Sequence, residues 1–225
     1  MNTVKFSEWF DPSSCKERIH IIGCGAVGST IAELLVRMGL TKFTLWDFDI
    51  VEPHNIANQM FRHKDINRLK TEALAEIMSE INPEVDITLK GKYEGQPLAG
   101  YIFMAVDKVA VRKEIVLENQ TNLNIKAVFD VRMRLTDAQG YAARWSKYNE
   151  VQNLINSMNY TDEEAESETP RTACNTTLSV APTVREICNA IVADFINLIK
   201  KDTENFKTLI LIDAFNFSLT TFTLD

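Results

Sequence analysis

This sequence predicts an α/β protein, Rossmann-like, with a mainly parallel sheet covered by helices on both faces and an antiparallel C-terminal strand pair. Three observations carry that prediction. Apolar strand-like runs alternate with helical periods from Ile19 to Trp145, the pattern of parallel strands joined by crossover helices. The run Ile19, Ile21, Ile22 leads into a glycine turn, GCGAVG from Gly23 to Gly28, and then into a helix. Two further strand-like runs, Thr208 to Ala214 and Phe217 to Leu224, close the chain across a short turn.

Composition bounds the function classes. The chain has 225 residues, 45% of them hydrophobic, enough for a substantial core. A formal net charge of −7 argues against general binding of nucleic acid or anionic membranes. No apolar stretch reaches the roughly 20 residues that span a bilayer. The first residues, MNTVKFSEWFDPSSCKER, carry no apolar export segment, and a cytoplasmic protein is expected. The four cysteines, at positions 15, 24, 174 and 188, show no CxxC spacing, which disfavours zinc and structural disulfides.

Taken in order, residues 1–17 read as a lead-in, and 18–225 as one domain. The helix after the glycine turn puts Ile31, Leu34, Leu35 and Met38 on one face and stops at Gly39. A second strand ends in LWDFD. The segment IVEPHNIANQMFRHKDINRLK is long, polar and irregular, which in a compact domain marks function. A helix carrying Leu74, Ile77, Met78 and Ile81 ends at Asn82-Pro83. Strands are expected at Val85 to Leu89, Tyr101 to Val106, Ile125 to Val131 and Gly140 to Trp145. A helix with Val109, Ile115 and Val116 follows the second of these. The polar, acidic stretch from about 158 to 177 reads as a mobile crossing loop. A long helix then runs from about Pro182 to Lys200.

The chemistry gathers at predicted strand ends. Gly23 and Gly25 suit a tight turn through which backbone N–H groups approach phosphate, and Gly28 lets the helix pack close. The N-terminus of that helix favours an anion. Asp47 stands where such folds set a carboxylate against ribose hydroxyls. NAD, FAD and ATP sites share this fingerprint. Asp107, ending another strand, suits Mg²⁺ beside phosphates or a helix N-cap. Lys70, at a helix start, reaches phosphate or lies on the surface. Asn55 and Gln59 offer phosphate donors or turn chemistry. His20, His54 and His63 form no recognisable triad.

DFDIVEPHNIANQ, KDINRLKTEAL and AVDKVAVR, following the glycine turn in order, resemble the nucleotide-site motifs of the ubiquitin-activating-enzyme-like superfamily (ThiF, MoeB and HesA). The resemblance runs from about Arg18 to the C-terminus. It implies an adenylyltransferase that uses ATP and Mg²⁺ to activate the C-terminal carboxylate of a small ubiquitin-like protein or peptide. By position, Gly23, Gly25 and Gly28 surround the phosphates, Asp47 and neighbouring Asp49 serve the nucleotide, and Asn55, Gln59 and Lys70 contact the triphosphate. Asp107 takes the metal. The resemblance also implies a homodimer in which Lys16 or Arg18 of one protomer reaches its partner's site. Cys174, in TACNTTLSVAP, matches the segment that carries a reactive cysteine in relatives; Cys24 and Cys188 read as packed side chains.

Two departures accompany the match. Asn58 stands where the family has arginine, and asparagine has neither a permanent charge nor a bidentate fork. Arg62 and Arg68 are the nearest replacements in sequence. The zinc-binding CxxC pairs of many relatives are missing. A weakly catalytic nucleotide-binding or scaffold protein is the alternative reading, and a nicotinamide or flavin oxidoreductase a third.

Overall fold

The computed structural model describes residues 1–168 and 178–224. One eight-stranded sheet runs through it: β1 (Ile19–Ile22), β2 (Lys42–Trp46), β3 (Asp86–Lys90), β4 (Gly100–Met104), β5 (Ile125–Met133), β6 (Asp137–Arg144), β7 (Leu209–Asp213) and β8 (Ser218–Phe222). Their order is β3-β2-β1-β4-β5-β6-β7-β8. Pairing is parallel from β3 through β5 and antiparallel from β5 through β8. The mainly parallel sheet is therefore as expected, and the antiparallel part extends beyond the last hairpin to include β6.

Six α-helices cover the sheet: α1 (Ala26–Arg37), α2 (Lys70–Ile81), α3 (Val109–Glu118), α4 (Tyr148–Asn156), α5 (Asp162–Glu168) and α6 (Ala181–Ile199). Helix α1 buries Ile31, Leu35 and Val36, and Gly39 ends it at φ +84°, a conformation that favours glycine. Two core clusters occupy opposite faces of the sheet. One packs α1, α2 and α6 against Ile21, Phe43, Leu45, Phe103 and Phe129. The other packs α3 and α4 against Ile22, Ile102, Met104 and Val128. Alternation along each strand sends neighbouring residues to opposite layers. Phe195 of α6 meets Tyr101, Phe103 and Phe129 edge-on.

Helix α4 was not predicted. Its buried face has Val151 and Leu154 alone as aliphatic residues, with Glu150 beside them, too few for a period to stand out. Glu150 is held there by Arg144, whose Nε donates at 2.9 Å. Helix α5 occupies part of the stretch expected as a mobile crossing loop, and its composition, DEEAESE, hid it. Asp162 at its start explains the order: its carboxylate accepts the N–H of Val109 at 2.6 Å, capping α3 from a distance.

The irregular segment 50–70 is more buried than its polarity suggested. Val51, Asn55, Phe61, Asp65 and Lys70 are all buried. Burial opposes the charge on Asp65, yet Arg62 donates to it from backbone and side chain at 2.8 and 3.0 Å, holding the carboxyl below its ordinary value.

Close packing sets a testable constraint at Gly28. A Cβ there would lie 1.8 Å from the carbonyl oxygen of Gly23, so Gly28→Ala must displace either the turn or the helix. We expect a loss of about 1–3 kcal/mol in urea unfolding, and an unchanged midpoint would refute the close approach. A second expectation concerns Asp194 of α6. Burial pushes its carboxyl up to about 7, opposed by the N–H of Lys207 and by the nearby charges of Lys207 and Arg144, and its Oδ2 is buried with no partner among the described residues. Its folded value lies above its unfolded one, so the native state holds a proton that the unfolded chain releases. That stability is present below about pH 4 and is lost as pH rises toward 7. Asp194→Asn should thus melt several degrees above the parent at pH 8, with the gap closing toward pH 4; a gap constant across pH would contradict the assignment.

Candidate nucleotide site

The glycine turn follows β1 directly, and α1 starts at its end. Gly23 has φ +95°, and a Cβ on it would meet the carbonyl oxygen of Ala105 at 2.6 Å. The turn therefore lies against the end of β4, which carries Asp107. Gly25 differs: a Cβ there would meet nothing within 4 Å. It is the N-cap of α1, and no side chain caps the helix. Open space over the N–H groups of an uncapped first turn is a cradle for an anion.

Carboxylates and a lysine line the next strand end. Asp47, just past β2, accepts the N–H of Cys24 at 2.7 Å and that of Asp49 at 2.8 Å. It thereby ties the glycine turn to the β2 end. Burial raises its carboxyl above the ordinary value, and these N–H groups and Lys70 counter that rise. Asp49 receives the ammonium of Lys70 at 2.8 Å. Lys70 opens α2 and is 8% exposed, so it is no surface lysine; its stem is packed and its charge is aimed at this end of the sheet.

Asn55 sits in a short 3-10 helix, Pro53–Ala57, where its carboxamide oxygen accepts the N–H of Glu52 at 2.9 Å. The turn chemistry expected of such a residue is present. Gln59 keeps a buried amide oxygen with no hydrogen-bond partner among the described residues. Rotating the amide exchanges oxygen for nitrogen, so this end can serve a hydroxyl or a phosphate. Asn58 donates from Nδ2 to the hydroxyl of Ser179 at 2.9 Å.

Asp107 is exposed at the β4 end. Lys108, not Asp107, is the N-cap of α3, which removes the capping role. The described residues hold no cluster of three His, Cys, Asp or Glu side chains suited to a metal. One carboxylate beside phosphates still fits Mg²⁺, which commonly takes one or two carboxylates and fills its shell with phosphate oxygen and water.

Arg62 and Arg68, the arginines nearest to Asn58 in sequence, both pair with carboxylates. Arg62 is bound to Asp65, Glu76 and Glu80, and Arg68 to Asp65 and Glu76. Arg18 lies at the opposite end of β1, paired with Asp86 and donating to the carbonyl of Phe43 at 2.5 Å, while Lys16 is exposed. Cys24 and Cys188 are buried, as expected, and burial drives both thiols up. Cys174 lies outside the described residues. His54 is exposed beside Glu52. Burial and the charge of Arg18 lower His20 to about 4, and its Nδ1 accepts the indole N–H of Trp46 at 3.1 Å.

Sequence reading missed Ser29 and Ser179. Ser29 Oγ accepts the N–H of Met60 at 3.2 Å, joining the irregular segment to α1. Ser179 is 121 residues from Asn58, and nothing in the local pattern marks it. No helix among the described residues is long and apolar enough to cross a membrane.

Part of the chain is similar to ubiquitin-like modifier-activating enzyme 5 of Arabidopsis thaliana, 40% identical over 67 residues, covering 30% of this chain and 16% of that protein. The same enzyme of Drosophila ananassae is 32% identical over 127 residues, covering 47% and 32%. This chain spans well under half of these curated relatives. Among solved structures, E. coli MccB crystallised with ATP has TM-score 0.71 at 18% identity, over 95% of this chain and 65% of that one. Selenomethionyl PaaA gives 0.71 at 14%, over 95% and 66%; these two likenesses concern the fold. Residues 14–225 match the ThiF family model, and with the glycine turn, Asp47 and Lys70 meeting at one sheet end, the chain belongs to the ThiF family.

Proposed function

We propose that this chain is an ATP-dependent adenylyltransferase that activates the C-terminal carboxylate of a peptide or small ubiquitin-like protein. The observation that carries the reading is the open cradle at Gly25, over an uncapped helix N-terminus and beside Asp47 and the Asp49–Lys70 pair. A helix N-terminus and a packed ammonium suit a polyphosphate. Neighbouring Asp47 suits ribose hydroxyls.

In this reaction the partner's carboxylate oxygen attacks the α-phosphorus. A P–O bond forms to the carboxylate and the bond to the β-phosphate oxygen breaks, so pyrophosphate leaves with the electron pair. No protein nucleophile is required; catalysis rests on positioning and on stabilising phosphate charge. The first turn of α1 binds phosphate oxygens, Lys70 supplies charge, and the Gln59 amide fills its open valence on the nucleotide. Asp107 would hold Mg²⁺, which when bound neutralises charge on the phosphates. A cavity of about 310 Å³, lined in part by Arg132, Met133, Ser157 and Tyr160, supports an entry for the carboxylate segment. Met133 Sδ lies 4.0 Å from Ser179 Oγ, the partner of Asn58. In this reading the chain works as a homodimer and Cys174 serves a transfer after adenylation.

A weakly catalytic nucleotide-binding protein is the second reading, favoured by Asn58 and by the engagement of Arg62 and Arg68 with carboxylates. Pyrophosphate exchange into ATP, with peptides bearing free C-termini, separates the two. Exchange that depends on the peptide supports the enzyme, while ATP binding without exchange supports the second reading.

The cradle makes its own prediction. Gly25→Ala meets no neighbour, so melting should change little, while ATP affinity by calorimetry falls about tenfold or more as the methyl holds phosphate off the N–H groups. Unchanged affinity would move the phosphates elsewhere. Asp107→Ala should leave ATP binding without metal intact and abolish its strengthening by Mg²⁺. A full Mg²⁺ response in that variant would remove Asp107 from the metal.

A further inference from the structure

Position 58 lacks an arginine, yet α6, whose lead-in residue Ser179 is bonded to Asn58, carries a cation that no sequence motif marks. Arg185 lies in the second turn of α6, half-buried, and its Nη1 donates to the hydroxyl oxygen of Thr30 in α1. Thr30 in turn donates its O–H to the carbonyl of Ala26 at 2.8 Å. Arg185 thus rests on a neutral group, and no carboxylate among the described residues pairs with it. Its neighbours differ in this respect. Lys70 has Asp49, Arg62 and Arg68 have Asp65 and Glu76, and Arg112 and Arg132 share Asp130.

The location is electrostatically incomplete. Both α1 and α6 begin at the carboxyl ends of the parallel strands: α1 follows β1, and Thr183 of α6 donates to the carbonyl of Leu135, just past β5, at 2.8 Å. Each helix start carries partial positive charge. The Arg185 guanidinium is held at Thr30, one turn into α1, with no carboxylate among the described residues to balance it. The same cluster contains position 58. Asn58 is bonded to Ser179, immediately before α6, and Met60 to Ser29 of α1. Helix α6 and segment 58–60 are therefore pinned together around the start of α1.

We propose that Arg185 is a phosphate-binding residue of the nucleotide site, supplying from α6 the charge that position 58 lacks. The inference rests on ATP binding at Gly25 and not on the identity of the carboxylate partner. With one N–H on Thr30, the guanidinium keeps donors for a phosphate oxygen, and a charge-assisted bond of this kind contributes more than a neutral one. The competing role is a clamp between α1 and α6 through Thr30, which would act on every ligand alike.

Calorimetry with ATP–Mg²⁺ and with adenosine distinguishes these roles in the whole chain. Arg185→Gln should weaken ATP about tenfold or more and leave adenosine unchanged, with a shallower salt dependence for ATP. Arg185→Lys should recover part of the loss, and Asn58→Arg placed in Arg185→Gln should restore most of it. ATP affinity equal to wild type in Arg185→Gln overturns the proposal. So does an equal proportional loss for ATP and adenosine, which is the signature of a clamp, or a failure of Asn58→Arg to restore ATP binding. Should Arg185→Gln fold poorly, the ATP-to-adenosine ratio in Arg185→Lys decides: a ratio below that of wild type supports the role and an unchanged ratio opposes it. A wild-type chain that binds neither ligand would overturn the nucleotide reading itself, and the phosphate role of Arg185 with it.

Discussion

The close approach of α1 to β1 is the constraint on which the rest of the structure depends. It is possible because Gly28 has no side chain where the carbonyl oxygen of Gly23 passes, and because Gly23 adopts a positive φ against Ala105. That contact sets α1 low on the sheet, and the large apolar residues of α2 and α6 pack around it in one layer. It also leaves the first turn of α1 facing outward over Gly25. Packing and site thus share one turn: Gly23 and Gly28 let the helix dock, and Gly25 leaves open space over its first N–H groups.

Charge is distributed around this end with little left unmatched. The network of Arg62, Lys64 and Arg68 with Asp65, Glu76 and Glu80 stiffens the irregular segment where it meets α2. Arg112 is bound by Asp130 and the carbonyl of Val131 at 3.1 Å, and also donates to the carbonyl of Val106, which steadies the turn bearing Asp107. Buried charges persist when they are paired and hydrogen-bonded, and Asp130, fully buried between two arginines, follows that rule. These ion pairs hold loops in shape. Gln59 keeps an amide oxygen without a partner among the described residues, Lys70 is held by the half-exposed Asp49, and Arg185 rests on the neutral hydroxyl of Thr30.

Much of the fold could be read from local pattern. Strand runs such as Tyr101–Met104 and helix faces such as Leu74, Ile77 and Met78 carry their own period, because a residue's facing depends on its near neighbours in sequence. The glycine turn, Asp47, Lys70 and Asp107 were legible for a related reason: each stands at the end of a strand or the start of a helix, and parallel topology brings such ends together. Helices α4 and α5 escaped that reading. One has a sparse apolar face, and the other is polar and anchored by Asp162 capping a different helix.

What only the tertiary structure decided was the pairing of charges and the joining of distant segments. Nothing local says that Arg62 and Arg68 bind carboxylates of α2, that Lys108 displaces Asp107 from the N-cap, or that Ser179 meets Asn58. Those outcomes depend on which side chains the folded sheet places within a few ångströms, across separations of up to 121 residues. The sequence by itself determined the order of the strands' apolar faces, the glycine turn and the family to which both belong. The structure decided which cations carboxylates engage, because hydrogen bonds and ion pairs act over short distances in space and carry no trace in the spacing of residues along the chain.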